Sequence, residues 1–316
     1  MNPNSDSLML EVKNLNKKFG DVHAVRNLNF HIKKGEIFGF LGPNGAGKTT
    51  TMRIITCFIP ASSGSVKIDG QDTSGGSLDV RRKIGYLPES TPLYNDMNVE
   101  EYLSFVGEIR GVKGSLLKRR VEEMFSVCGL SKMAKRQIGK LSKGYRQRVG
   151  LAQAMIHNPD LLILDEPMSG LDPNQIIEIR NLIKKMGHEK TVIYCSHILS
   201  EVSATCDRIL IINEGQMVAS GTPDELTHKS KGDHYHVRIK ADRYDVESKL
   251  ASIPDVSGVN IINTAAPWTT ADIIATSQGD LGEEIFKCVV DNGWSLAELK
   301  RESASLEEVF TQLTRG

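Results

Sequence analysis

The sequence predicts an α/β fold: a parallel sheet with an antiparallel β layer, an inserted helical subdomain, and a small α+β domain toward the C-terminal end. Three observations predict it. Two apolar runs, residues 161–164 and 191–195, flank a helix-forming stretch, and strand, helix, strand implies parallel pairing. A glycine-rich turn, Gly42-Pro43-Asn44-Gly45-Ala46-Gly47-Lys48-Thr49, follows the apolar run 37–41 and opens a helix through Met52, Ile54 and Ile55. Beyond residue 233 the elements read β-α-β-β-α-β, the ferredoxin-like order.

In chain order, short β-type runs at 8–12, 27–32 and 65–68, broken by glycine-containing turns, predict the antiparallel layer. Over 99–156 the period becomes helical: Tyr102, Phe105, Val106 and Ile109 recur at three and four, as do Val121, Met124, Phe125 and Cys128. The helical subdomain is placed at about 95–158. Asp172 as N-cap and Pro173 at the first helical position mark the helix between the two buried strands. Residues 208–212 and 217–219 predict a hairpin about Asn213-Glu214-Gly215, and Thr222-Pro223-Asp224-Glu225 reads as a capping box. The first domain is expected over 8–227, then a polar, Lys-rich linker, then a second domain over 234–316. Its strands are expected at 236–240, 256–262, 272–276 and 296–299, its helices at 244–251 and 282–290, with a last helix at 306–313.

Lys plus Arg and Asp plus Glu both number 39 among 316 residues, so no basic field points to nucleic acid, and none is expected as a partner. The five cysteines contain no C-x-x-C pair and are odd in number, which fits a reducing cytosol. The polar start, Met1 to Ser7, lacks the charged and apolar regions of a signal peptide, and the apolar runs fall short of the ~20 residues of a membrane-spanning helix. The expectation is a chain that is not secreted and meets a membrane only through a partner.

The turn at Gly42 matches G-x-x-x-x-G-K-[ST], the phosphate-binding loop of a P-loop NTPase with a RecA-like core. Its glycines let backbone N–H groups curl around phosphates, and the helix N-terminus beginning at Lys48, Thr49 and Thr50 adds its positive end. Lys48 is expected to reach the β and γ oxygens of ATP, and the Thr49 hydroxyl to ligate Mg²⁺. Asp165 and Glu166 end the run 161–164, where open α/β sheets place ligand chemistry; Asp165 is assigned to Mg²⁺ and Glu166 to general base for the attacking water. His197 ends a second buried run on the same edge and is assigned a γ-phosphate contact.

These residues, with Leu141-Ser142-Lys143-Gly144-Tyr145-Arg146-Gln147-Arg148 between the phosphate loop and Asp165, resemble the ABC ATPase family. The stretch matches the family signature LSGGQ at Leu141, Ser142 and Gly144, with Lys143 and Tyr145 replacing its second glycine and its glutamine. The resemblance implies that Ser142 and Gly144 serve the ATP of a second copy, giving a head-to-tail homodimer, and that Ser169-Gly170-Leu171-Asp172 is the D-loop. It implies that Phe19, preceding the first strands, stacks on adenine. It also implies that Glu89 stands where the family carries the Q-loop glutamine, keeping a Mg²⁺ or water contact but not an amide donor. Residues about 90–102 correspond to the surface that meets an integral-membrane permease subunit, which places the chain in the cytoplasm on the inner face of the membrane. The single cassette with its tail resembles ABC-2-type exporters, including gliding-motility and drug-export systems.

Two other readings stand beside the transport ATPase. A soluble ABC ATPase acting on ribosomes or DNA would usually carry two cassettes or a long coiled coil. A nucleotide-gated binding module without turnover would not need Glu166 and His197. His234 and His236 face one side of a strand, and a solvated strand end is the expectation there over a metal site.

Overall fold

A computed structural model describes residues 7–228, 234–275, 280–302 and 310. Residues 229–233 of the expected linker, and the helix expected over 306–313 apart from Phe310, lie outside the described residues. The chain divides into two compact units, Met1–Thr222 and Pro223–Gly316.

The first unit opens on β1 (Leu8–Phe19) and β2 (Val22–Lys33), followed by β3 (Ile37–Leu41), α1 (Lys48–Ile55), β4 (Ser63–Ile68), β5 (Gln71–Asp72), α2 (Leu78–Arg82) and β6 (Ile84–Leu87). Strands β2-β1-β4-β5, in that order, form an antiparallel sheet. The strands run longer than the hydrophobic pattern predicts, and Phe19 ends β1 rather than preceding the first strands. The extension passes through bulges at Asn14 and Asn27, which take φ of 47° and 46°. Asn side chains satisfy the disturbed backbone there: Asn14 N–H donates to Asn29 Oδ1 at 2.8 Å, and Asn27 N–H to Asn16 Oδ1 at 2.9 Å.

The helical stretch resolves into α3 (Val99–Ile109), α4 (Gly114–Val127) and α5 (Lys143–Met155), with short 3₁₀ turns at Ser131–Met133 and Ile138–Lys140. Asn98 and Glu101 form a reciprocal capping box at the start of α3. At the other end of α5, the buried Arg120 guanidinium donates from Nε to Ile156 O at 3.0 Å and from a terminal nitrogen to Met155 O at 2.6 Å.

Then come β7 (Leu161–Asp165), α6 (Pro173–Gly187), β8 (Thr191–Ser196), α7 (Leu199–Ser203), β9 (Arg208–Asn213) and β10 (Gln216–Gly221). Asp172 caps α6, its Oδ1 accepting from Gln175 N–H at 2.9 Å, with Pro173 in the first turn. Glu214 and Gly215, at φ 46° and 78°, make the left-handed turn that the hairpin β9–β10 requires.

The second sheet runs β10-β9-β3-β8-β7-β6, parallel except for β10. All residues of β3, β7 and β8 are buried, as in parallel strands covered on both faces. Phe30 of β2 stacks on Phe38 of β3 at 5.7 Å and 4°, and one apolar core joins the two sheets.

The second unit contains α8 (Pro223–His228), β11 (His234–Lys240), α9 (Arg243–Ala251), β12 (Val256–Ala265), β13 (Trp268–Ala275), α10 (Gly282–Asp291) and β14 (Ser295–Glu302). Its sheet order, β12-β13-β11-β14, all antiparallel, with a helix after the first and third strands, is the ferredoxin-like topology. Val246, Leu250, Ile285 and Val289 of its helices close a core with Tyr235, Val237, Ile239, Ala271 and Ile273 of its strands. His236 pairs across the sheet with Asp272, Nδ1 to Oδ1 at 2.8 Å, and among the described residues no group of three or more His, Cys, Asp and Glu is arranged to hold a metal.

Candidate active site

The strand order reverses about β3, whose neighbours are β8 and β9, and the C-terminal edge at such a point is where α/β sheets bind ligands. Register brings the motif residues to that edge. Leu41 lies beside Ser196, Asp165 beside Cys195, and Leu87 beside Leu164, so Gly42, His197, Glu166 and the turn carrying Glu89 all leave the sheet at one level. Asn44, Gly45, Gly47, Lys48, Thr49, Thr50, Glu89, Asp165, Glu166 and His197 line one cavity of 350 Å³.

The loop from Gly42 through Ala46 is tight by necessity. Gly47 sits at φ 101° and caps α1, and a side chain there would meet Ala24 O at 2.5 Å. Lys48 is buried, its Nζ donating to the carbonyl oxygens of Gly42 at 2.7 Å and Pro43 at 3.1 Å, so the ammonium is held over the loop that surrounds it.

Thr49 Oγ1 donates to Asp165 Oδ2 at 3.2 Å, while Asp165 Oδ1 is buried with no hydrogen-bond partner. Burial, with Glu166 and Glu89 nearby, pushes the Asp165 carboxyl up to about 6, against the pull of Thr49 and Lys48. A buried carboxylate oxygen with an unused lone pair beside a threonine hydroxyl fits the donor set of a hard divalent cation such as Mg²⁺.

Glu166 adopts φ 50°, a left-handed conformation costly for a residue with a Cβ and frequent where backbone strain aims a functional group. Its Oε1 accepts from His197 Nδ1 at 2.7 Å, which puts the imidazole proton on Nδ1 and leaves Nε2 as the other face of the ring. Its Oε2 lies 3.3 Å from the buried hydroxyl of Ser196.

Other expected positions are elsewhere. Gly144 and Asp172 line a separate cavity of 450 Å³ with Tyr145, Arg148, Gln175 and Glu178, and Ser142 caps α5, accepting from Tyr145 N–H at 3.5 Å. Lys143 packs over Gly170, where a side chain would meet its Nζ at 2.1 Å. Phe19 is half exposed, with Lys17 Nζ 4.9 Å from the ring centre, and is not among the residues lining the phosphate-loop cavity. Sequence reasoning missed Tyr194, Ser196 and Glu201, which form a buried polar chain behind Glu166. The signal was available: Tyr194 and Ser196 are two apart on one strand, hence on one face, inside an otherwise apolar run.

Fold and site together define a P-loop nucleotide hydrolase. Residues 25–169 match the ABC transporter family. The chain is 33% identical to the linearmycin resistance ATP-binding protein LnrL of Bacillus subtilis over 97% of its own length and 98% of that protein's. It is 32% identical to the bacitracin transport ATP-binding protein BcrA of Bacillus licheniformis, over 98% of each. Among solved structures, the dimeric post-hydrolysis state of the ATP-binding cassette MJ0796, bound to ADP and Pi, superposes at TM-score 0.62 with 28% identity, over 68% of this chain and 98% of that one. The chain therefore belongs to the ABC transporter family, as the ATP-binding and ATP-hydrolysing subunit.

Proposed function

We propose that this subunit drives export through a separate integral-membrane permease, working as a homodimer that closes on two ATP molecules and opens on hydrolysis. One observation supports the dimer: the cavity beside the N-terminus of α5 and the cavity at the phosphate loop share no lining residue, as expected where each chain supplies one of them to a given nucleotide. A head-to-tail second copy would bring the two together. Ser142, Gly144 and Asp172 then face the partner's ATP, and the N-terminus of α5 offers N–H groups and a dipole end to its phosphates.

Within one copy, Lys48 and the loop N–H groups neutralise the phosphates, Phe19 stacks on adenine, and His197 contacts the γ-phosphate through Nε2. Glu166 accepts the proton of the attacking water, a contribution of ~10²–10⁴ in rate. Thr49, Asp165 and Glu89 are the residues that would hold Mg²⁺, which when bound supplies charge neutralisation at the β and γ oxygens. Residues 8–227 are the motor domain and 234–316 an accessory domain without catalytic machinery.

Export is supported by full-length similarity to proteins named for linearmycin resistance and bacitracin transport. The finer placement among ABC-2-type exporters, which include gliding-motility and drug-export systems, belongs to the same reading. Tyr94 and Phe105 expose aromatic surface, their rings 5.7 Å apart, which suits docking on a permease loop. No described helix is long and apolar enough to cross a membrane; the permease reading itself places the chain in the cytoplasm, held to the inner face.

The test is to express the tagged chain at native level, solubilise the membranes and identify what co-purifies. Recovery with a polytopic membrane protein is expected. Recovery from the soluble fraction with ribosomes or nucleic acid would remove the transport reading. In parallel, Glu166→Gln is expected to keep ATP binding, lose hydrolysis by about 10²-fold or more, and accumulate as an ATP-dependent dimer in size-exclusion chromatography.

A further inference from the structure

Ser196 stands between two carboxylates. Its Oγ lies 3.3 Å from Glu166 Oε2 and 3.2 Å from Glu201 Oε2, and it accepts the N–H of Ile198 at 3.1 Å. A serine hydroxyl carries one proton, so it serves one carboxylate at a time. Glu201, from α7, is itself buried, and its Oε2 also accepts the hydroxyl of the fully buried Tyr194 at 2.9 Å. Behind the reacting edge, therefore, a second acid competes with Glu166 for a single donor in a place shielded from water. A hydrogen bond given to one is withheld from the other, and the low local dielectric sharpens the choice.

We infer that Glu201 is a positioning residue for hydrolysis: it draws the Ser196 proton to itself and leaves Glu166 held by His197 alone. The inference rests on the reading of Glu166 as general base. With the Ser196 hydroxyl turned to Glu166, that carboxylate is fastened at both oxygens, Oε1 by His197 and Oε2 by Ser196, and does not turn. With the hydroxyl turned to Glu201, Glu166 pivots about its Oε1 bond and presents Oε2 to a water. A base works only within hydrogen-bond reach of the proton it takes, so freedom to turn decides the rate while nucleotide binding, made by other residues, is untouched. Tyr194 donates to the same Glu201 oxygen and so shares that acceptor with Ser196.

The test compares ATPase kinetics, equilibrium binding of a fluorescent ATP analogue and thermal unfolding for four variants of the full chain. Glu201→Gln keeps the size of the side chain and an oxygen for Tyr194, but an amide oxygen is a weaker acceptor than a carboxylate, so the Ser196 proton passes to Glu166. We expect kcat to fall about tenfold with nucleotide affinity and Tm kept. Adding Ser196→Ala removes the misplaced proton and should raise the rate above that of Glu201→Gln alone, a sign reversal that independent packing losses do not produce. Parental kcat in Glu201→Gln overturns the inference, and so does a double variant no faster than the single one. Should Glu201→Gln fold poorly, Tyr194→Phe takes its place: relieved of one donor, Glu201 binds the Ser196 proton more strongly and kcat rises, whereas a fall at unchanged Tm overturns the role. Glu166→Gln separates the two readings. If it hydrolyses ATP at the parental rate, the base assignment itself fails; if it is inactive while Glu201→Gln is fully active, only the role of Glu201 fails.

Discussion

Asp165 shows at the scale of one residue how function is set against stability. Its carboxylate is 1% exposed, one oxygen has no partner, and burial raises its pKa from 3.8 to about 6. In the unfolded chain it ionises at the lower value, so between the two the folded state binds the extra proton. Stability is therefore fully present below about 4 and is lost as pH rises through about 6, by on the order of 3 kcal/mol at 1.36 kcal/mol per unit. Asp165→Asn removes that cost. In nucleotide- and metal-free protein we expect its Tm to exceed the parental value at pH 8, with the gap narrowing at pH 5, while Mg²⁺-supported hydrolysis is lost. A gap unchanged between pH 5 and pH 8 would show that the buried charge is not its source. The residues of this site were legible because each sits at a fixed offset from a strand end: Lys48 in a glycine loop, Asp165 and Glu166 after four apolar residues, His197 after six buried ones. Glu201 was not, since an acid in the sequence Leu199-Ser200-Glu201 reads as ordinary helix surface until the fold turns it inward against Tyr194.

At the scale of elements, the hydrophobic period gave the types and order, and local chemistry fixed the ends. The α6 start was readable from Asp172 and Pro173 because capping acts within one turn. The length of β1 was not, because residues 13–18 are polar apart from Leu15 and a pattern of alternating burial breaks at the Asn14 bulge; the asparagine bonds that carry the strand onward are made between β1 and β2. Tertiary capping was equally hidden. Arg120 of α4 supplies its guanidinium to the carbonyls of Met155 and Ile156, where α5 leaves acceptors without partners. Arg120→Met preserves the apolar stem but strands two buried carbonyls at the negative end of α5. We expect a loss of about 2–4 kcal/mol in urea unfolding at unchanged m-value. A loss below about 0.5 kcal/mol would mean that water takes over the carbonyls.

At the scale of the molecule, each unit has a buried core of its own. Leu10, Phe30, Phe38, Ile163 and Ile193 belong to one, and Tyr235, Ile239, Val246, Ile273 and Ile285 to the other. Self-contained cores are what permit units to fold separately. Every residue that lines the phosphate-loop cavity lies between Asn44 and His197, and every residue that lines the cavity beside α5 lies between Gly129 and Glu178. A chain ending at Asp233 therefore keeps both cavities on which the proposed nucleotide site draws. We expect it to bind ATP with an affinity within about threefold of the parent, less than 1 kcal/mol, measured by equilibrium titration with a fluorescent analogue and checked for folding by circular dichroism. Loss of binding in a folded truncation would make the ferredoxin-like unit part of the nucleotide site. Retained binding, followed by the Glu166→Gln change in the truncated chain, then asks whether ATP still brings two copies together. Dimerisation in that variant confines the coupling to the first unit, and its loss assigns the second unit to holding the pair.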